Sequence, residues 1–136
     1  MKMREILFRG KTPGGKWVEG IYSPYNWDID LVRENKPQII ILSENKDDID
    51  DGLWCDIIPE TAGQYTGLTD KNGVKIFDGD IVRYGDTIHE VVFEQRNGTA
   101  YFGLVYSESE TLPFGHYQDL RQIEVIGNIY DNGYPF

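Results

Sequence analysis

Between Ile6 and Tyr130 the apolar runs of this chain are short, and nearly every one is closed by glycine, proline or an Asn-Gly pair. Turn signals recurring about every 8–12 residues predict a small barrel or sandwich of short strands. A stable helix needs apolar residues at i, i+3, i+4 and i+7 over several turns. No long segment carries that pattern, and no internal repeat is present.

Ile6-Leu7-Phe8 and the run from Lys16 to Tyr22 are predicted to pair as a hairpin about Thr12-Pro13-Gly14-Gly15. Proline there presets one φ and glycine supplies positive ones. Gly20 inside the second strand predicts a bulge or a close backbone approach. Ser23 to Asn35 reads as a weak strand or loop, and Gln38 to Leu42 as a buried, β-branched strand. Glu44 to Asp51 reads as an acidic loop, and Leu53 to Ile58 as a strand ended by Pro59. Asn72-Gly73, Gly85-Asp86 and Asn97-Gly98 are predicted turns. They separate strands at Val74 to Phe77, Ile81 to Tyr84, Thr87 to Glu94 and Thr99 to Tyr106. Ser107 to Glu110 is predicted loop, Tyr117 to Gln122 a single helical turn, and Glu124 to Tyr130 the last strand.

The 136 residues carry 13 basic and 23 acidic side chains, a formal net charge of −10. A general binder of nucleic-acid backbones needs Lys and Arg to displace phosphate counterions, so nucleic acid is not the expected partner. The 3 Trp, 9 Tyr and 6 Phe are enough to build a core and argue against wholesale disorder. Cys55 is the one cysteine, which excludes an internal disulfide and a multi-Cys zinc site. The longest apolar run, Ile39-Ile40-Ile41-Leu42, is far short of the ~20 residues of a membrane span. The start, Met1-Lys2-Met3-Arg4-Glu5, lacks the apolar stretch of a signal peptide. A soluble, acidic, intracellular protein is expected, with no membrane contact.

Three blocks stand out together. The first is Met3-Arg4-Glu5-Ile6-Leu7-Phe8-Arg9-Gly10-Lys11, followed by Gly15-Lys16-Trp17-Val18-Glu19-Gly20. The second is Ile58-Pro59-Glu60-Thr61-Ala62-Gly63-Gln64-Tyr65-Thr66-Gly67-Leu68-Thr69-Asp70-Lys71-Asn72-Gly73, running into Lys75-Ile76-Phe77-Asp78-Gly79-Asp80-Ile81-Val82. The third is Ile123-Glu124-Val125-Ile126-Gly127-Asn128-Ile129-Tyr130. In this order and spacing they resemble the YopX family of phage and prophage proteins, over nearly the whole chain. The resemblance implies a C-terminal SH3-like β-barrel lobe; with the strands read above, the chain is expected to be mainly β, with a small N-terminal β lobe over 1–62 and the barrel lobe over 63–136. It implies a phage-derived product acting in a bacterial cytoplasm. It implies no activity and carries over no catalytic residue.

The chemical motifs read best as structure. Gly10-Lys11-Thr12 has Glu5 where a phosphate-binding loop needs its first glycine, and Pro13 breaks the loop-to-helix geometry. His89-Glu90-Val91-Val92-Phe93 lacks the second histidine of a zinc-protease helix and alternates like a strand. Asp47-Asp48-Ile49-Asp50-Asp51-Gly52 has Ile49 and Ile58 where a calcium loop needs ligands, so it reads as a solvated acidic loop. Asp78-Gly79-Asp80 has the makings of paired carboxylates or a metal site, but a tight turn with both Asp bonding backbone N–H groups is the simpler account. Cys55 reads as a buried, inert thiol. His116, Ser107, Ser109 and Asp119 supply triad residue types without a nucleophile elbow. Asn97-Gly98-Thr99 reads as a hairpin turn. No catalytic, cofactor-binding or metal-ligating residue is assigned, and no cofactor is expected.

Two functions are weighed. The first is a non-enzymatic protein-interaction module recognising a host or phage protein, with an acidic surface able to imitate nucleic acid. The second is nucleic-acid binding through the barrel lobe, using a local patch of Lys71, Lys75, Arg83 and Arg96, which rests on fold-level analogy. Homo-oligomerisation is expected, because lobes of this size bury a modest share of their surface and strand-rich lobes have edges to cover. The apolar end Tyr134-Pro135-Phe136 is predicted to dock on a neighbouring surface.

Overall fold

The computed structural model describes residues 6–23, 37–41, 53–96, 98–115 and 118–133. Along them run β1 (Phe8–Lys11), β2 (Trp17–Ser23), β3 (Gln38–Ile41), β4 (Leu53–Asp56), β5 (Gly63–Thr69) and β6 (Lys75–Phe77). There follow β7 (Asp80–Tyr84), β8 (Thr87–Arg96), β9 (Thr99–Ser107), β10 (Glu110–Pro113), β11 (Ile123–Asn128) and the helical turn α1 (Ile129–Asn132). Short 3-10 turns occupy Pro59–Thr61 and Leu120–Gln122. The protein is mainly β, all pairings among these strands are antiparallel, and it divides into two units, Met1–Gln64 and Tyr65–Phe136.

In the first unit β1 and β2 form the expected hairpin, but the first strand runs over Phe8–Lys11 and not over Ile6-Leu7-Phe8, with Phe8 opposite Gly20 and Lys11 opposite Trp17. Thr12 closes the turn, its N–H donating to the Lys16 carbonyl at 2.8 Å and its carbonyl accepting from Gly15 N–H at 2.8 Å. β3 and β4 extend the sheet beyond β2, while the start of β5 pairs with β1. Strand alternation sends Val18 and Ile39 to one face, where they bury with Ile57 against Phe8, Tyr22, Ile41, Cys55 and Ala62. Cys55 therefore packs as a small apolar residue. Gly20 marks a close approach, as expected: a Cβ there would collide with the Ile40 carbonyl oxygen.

In the second unit the later part of β5 and β6 form a hairpin, and β7 to β10 form a meander with β11 added beside β7. Ile76, Val82, Val91, Leu104 and Ile123 expose none of their surface and are packed by Tyr84, Tyr106, Phe114, Leu120 and Val125. Burying each such side chain contributes about 1.5–3 kcal/mol relative to exposure. The ladder order is β10-β9-β8-β7-β11, an open sheet and not a closed barrel. The closure expected of an SH3-like barrel is absent from the strand ladder because a turn, not a strand, meets the outer edge of β11. Lys71 N–H donates to the Ile123 carbonyl at 2.9 Å, and Val125 N–H donates to Asp70 Oδ2 at 2.9 Å.

Other expectations need correction. Ser107 to Glu110 is a tight turn with Ser107 opposite Glu110, and a further strand, β10, follows it. β10 ends at Pro113, which suits an edge because proline has no N–H to offer a neighbour. The last strand stops at Asn128, not Tyr130. The Asn128 side chain accepts from the N–H groups of Tyr130 at 3.0 Å and Asp131 at 2.9 Å, a helix cap that outweighs the β preference of Ile129 and Tyr130. β4 ends at Asp56, after which Ile58 N–H turns to the Lys11 carbonyl ahead of Pro59. The turn expected from Tyr117 is confined to Leu120–Gln122. The expectations for 24–35, the acidic loop at 44–51 and the tail at 134–136 lie outside the described residues, as do His116, Tyr117 and Asn97.

Candidate functional sites

Asp70, in the middle of the second sequence block, accepts hydrogen bonds from three backbone N–H groups. It is 6% exposed. Its Oδ1 accepts from Asn72 N–H at 2.8 Å and Val74 N–H at 2.9 Å, which shapes the β5–β6 turn, while Oδ2 takes Val125 N–H. Burial pushes its carboxyl up, but the backbone bonds from Val125, Val74 and Asn72, with the Lys71 charge, hold it below the usual Asp value. Gly73 completes the turn with φ +78° and open space around it. The group is an organiser of backbone, with its lone pairs turned to N–H donors instead of solvent.

Asp78 and Asp80 differ in their surroundings. Asp80 is 1% exposed, and its Oδ2 accepts from Phe77 N–H at 2.7 Å. Asp78 instead faces Glu90 electrostatically: burial, then the Asp78 charge, raise the Glu90 carboxyl above its ordinary value. Gly79 between them has φ +92°, and a Cβ there would sit 2.9 Å from the Tyr130 ring. Gly79 N–H donates to the Val91 carbonyl at 2.8 Å, and its carbonyl accepts from Ile129 N–H at 2.9 Å. The turn is thus capped by α1. No group of three or more His, Cys, Asp or Glu placed to hold a metal occurs among the described residues.

His89 is 4% exposed on β8. Its Nδ1 lies 2.9 Å from the Val105 carbonyl, which can only accept, so Nδ1 carries the proton. Nε2 lies 2.7 Å from Thr87 Oγ1, and the ring packs on Tyr106 at 4.3 Å between centroids. Both ring nitrogens are engaged within the protein. Of the triad residue types, Ser107 and Ser109 face each other across their turn at 3.4 Å. Asp119 is clasped by the Arg121 guanidinium through two bonds of 3.0 Å. The hydrogen bond from the Arg121 side chain, then that from its backbone, holds the Asp119 carboxyl below its usual value.

Two members of the candidate basic patch share one carboxylate. Lys71 Nζ lies 3.4 Å and Arg83 3.9 Å from the same Glu124 oxygen. The described surface also carries two modest concavities. One, about 360 Å³, is walled in the first unit by Pro13, Pro37, Pro59, Ile57, Ile58 and Asp56. The other, about 260 Å³, is an apolar dent in the second unit at Val105, Tyr106, Ser107 and Glu108.

A further surface was missed in the sequence. Ile21 pairs with Ile40, and Ile40 with Trp54, so the three side chains form a row across the outer face of β2, β3 and β4. Ile21 is 47% and Trp54 50% exposed. The signal was the alternation of Trp54 with core-facing Cys55, which the apolar triplet Leu53-Trp54-Cys55 concealed. No helix among the described residues is long and apolar enough to cross a membrane.

The described residues thus define a two-unit antiparallel β protein whose polar groups chiefly hold backbone and whose outer sheet face displays apolar side chains. The chain belongs to the YopX protein family, whose profile matches residues 18–134. It is also similar to the crystal structure of protein EF1440 from Enterococcus faecalis, with 24% identity over 96% of each chain and a TM-score of 0.46. No curated protein matches it.

Proposed function

We propose that this YopX-family protein is a non-enzymatic protein-interaction module of phage or prophage origin, acting in a bacterial cytoplasm. The observation that carries the reading is a contrast within the described residues. Asp70, Asp80, His89 and Asp119 are tied into backbone or side-chain bonds, whereas Ile21 and Trp54 stand about half exposed. Exposed apolar rows of this kind mark contact surfaces. The nucleic-acid alternative, acting through an SH3-like second lobe, is disfavoured by Glu124 beside Lys71 and Arg83. Affinity purification from infected host cells with in-cell cross-linking and mass spectrometry tests the reading. A protein recovered stoichiometrically at a defined cross-link supports it. A salt-sensitive mobility shift with DNA or RNA, fading between about 100 and 200 mM salt, favours the alternative. The same reading includes self-association, checked by light scattering at ~150 mM salt. A monomer mass over a broad concentration range refutes that part.

A further inference from the structure

Asn72 and Gly73 sit exposed in the turn between β5 and β6. Asparagine followed by glycine is the pair most prone to lose its side-chain amide, because glycine has no Cβ to obstruct its own nitrogen. In that reaction the Gly73 nitrogen gives up its proton to hydroxide and bonds to Asn72 Cγ. The Cγ–Nδ2 bond breaks, and ammonia leaves carrying a proton back from water. Water then opens the cyclic imide. The product is aspartate or, where the main chain is rerouted through Cβ and Cγ, isoaspartate.

The fold withholds the attacking nitrogen. Gly73 N–H donates to the Asp70 carbonyl at 3.0 Å, which ties the nitrogen back across the turn. The residues on either side are pinned by the Asp70 carboxylate, whose Oδ1 accepts from Asn72 N–H at 2.8 Å and Val74 N–H at 2.9 Å. Oδ2 accepts from Val125 N–H at 2.9 Å, so the lock is anchored on β11. Swinging the Gly73 nitrogen towards Cγ breaks its own bond and drags both neighbours against the carboxylate. Attack therefore waits for the turn to open, and local openings need less free energy than global unfolding. The change runs one way. Isoaspartate lengthens the main chain inside a turn where the Gly73 φ of +78° and the Asp70 bonds fit the native length.

We propose that Asn72-Gly73 is a latent deamidation site, held shut by the Asp70 lock and opened when the turn parts from β11. The full chain and a blocked peptide of residues 66–78 test it, incubated side by side in mildly alkaline buffer. Loss of the Asn72 amide is followed by peptide mapping with isoaspartate detection. The peptide has the same local sequence without the anchored lock, so Asn72 in the full chain is expected to react at least about tenfold more slowly. Asp70→Asn and Asp70→Ala should each speed the reaction in the full chain at least about threefold. Gly98→Val strains the same unit without touching this turn, and should leave the Asn72 rate within about twofold of wild type. Variants are scored once circular dichroism shows them folded; Asp70→Asn, the closer in shape, keeps the test open if Asp70→Ala does not fold. Equal rates in chain and peptide overturn the proposal, as do folded Asp70 variants no faster than wild type. Acceleration by Gly98→Val equal to that of the Asp70 variants also overturns it, because general unfolding then accounts for the reaction.

Discussion

Removing the Asp70 charge with Asp70→Asn leaves shape almost unchanged and tests the backbone-organiser role directly. The carboxylate accepts three N–H groups at 2.8–2.9 Å, two on Oδ1 and one on Oδ2. An amide offers one oxygen. If that oxygen keeps Asn72 and Val74, the new NH2 faces Val125 N–H, donor against donor. Bonds to a charged acceptor contribute roughly 1.5–3 kcal/mol, and a buried donor left unmet costs about 1–3 kcal/mol. The expected loss is about 3 kcal/mol, or a fall of about 10 °C in Tm for a chain of this size. Thermal unfolding followed by circular dichroism at neutral pH reads it, and amide exchange should accelerate at Val125. The pH dependence supplies the second check. Asp70 titrates below its ordinary 3.8 in the folded state, so its stabilisation is present above that value and is lost as pH falls through the folded pKa. The gap between wild type and variant must narrow as the pH falls below that ordinary value. A loss below about 1 kcal/mol at neutral pH, or a gap that stays constant into acid, refutes the reasoning.

Gly20→Ala should cost about 2–4 kcal/mol, because the new methyl meets the Ile40 backbone oxygen, which no rotamer change can move aside; an urea midpoint within error of wild type would contradict this. Gly98→Val should cost about 1–3 kcal/mol by backbone strain alone, since φ is +78° and the surroundings are open, and an unchanged Tm would sink it. Glu90 binds its proton more tightly in the folded state than at its ordinary 4.5, so folding loses stability as pH rises through that range. Glu90→Gln should therefore melt above wild type at neutral pH, with the advantage gone below the ordinary value; an unaltered neutral Tm would show that Asp78 and burial exert no net cost.

Much of this fold was legible because turn chemistry is local. Pro13 with Gly15 and Asn72 with Gly73 each marked a turn from a few adjacent residues, and Gly15, Gly73 and Gly98 adopt the positive φ those positions want. Gly20 was legible for the same reason: a glycine amid β formers signals space, not turning. What stayed hidden was set by partners distant in sequence. Nothing near Asp70 announces Val125, and nothing near Asp78 announces Tyr130 or Glu90. Asn128 was readable in principle as a helix cap, but Ile129 and Tyr130 look like strand residues until the cap is recognised. Trp54 was hidden differently, since Leu53, Trp54 and Cys55 are three apolar residues in a row and the alternation shows only once Cys55 is seen facing the core. The open ladder of the second unit came from a side chain standing in for a strand, which no strand pattern encodes.

The seal between the Asp70 turn and β11 sets a timetable for synthesis. The two groups it joins are 55 residues apart. At a bacterial pace of about 5–20 residues per second, Asp70 waits roughly 3–11 s for Val125 to be made. Through that interval the β7 edge that β11 will cover stands bare beside a carboxylate lacking its third donor. The first unit has no such delay, because its last strand pairing needs only Gly63 and Gln64. A ribosome that stops before Ile123 would therefore release a finished first unit joined to an unsealed second one, an open-edged product suited to proteolysis or aggregation and not to function.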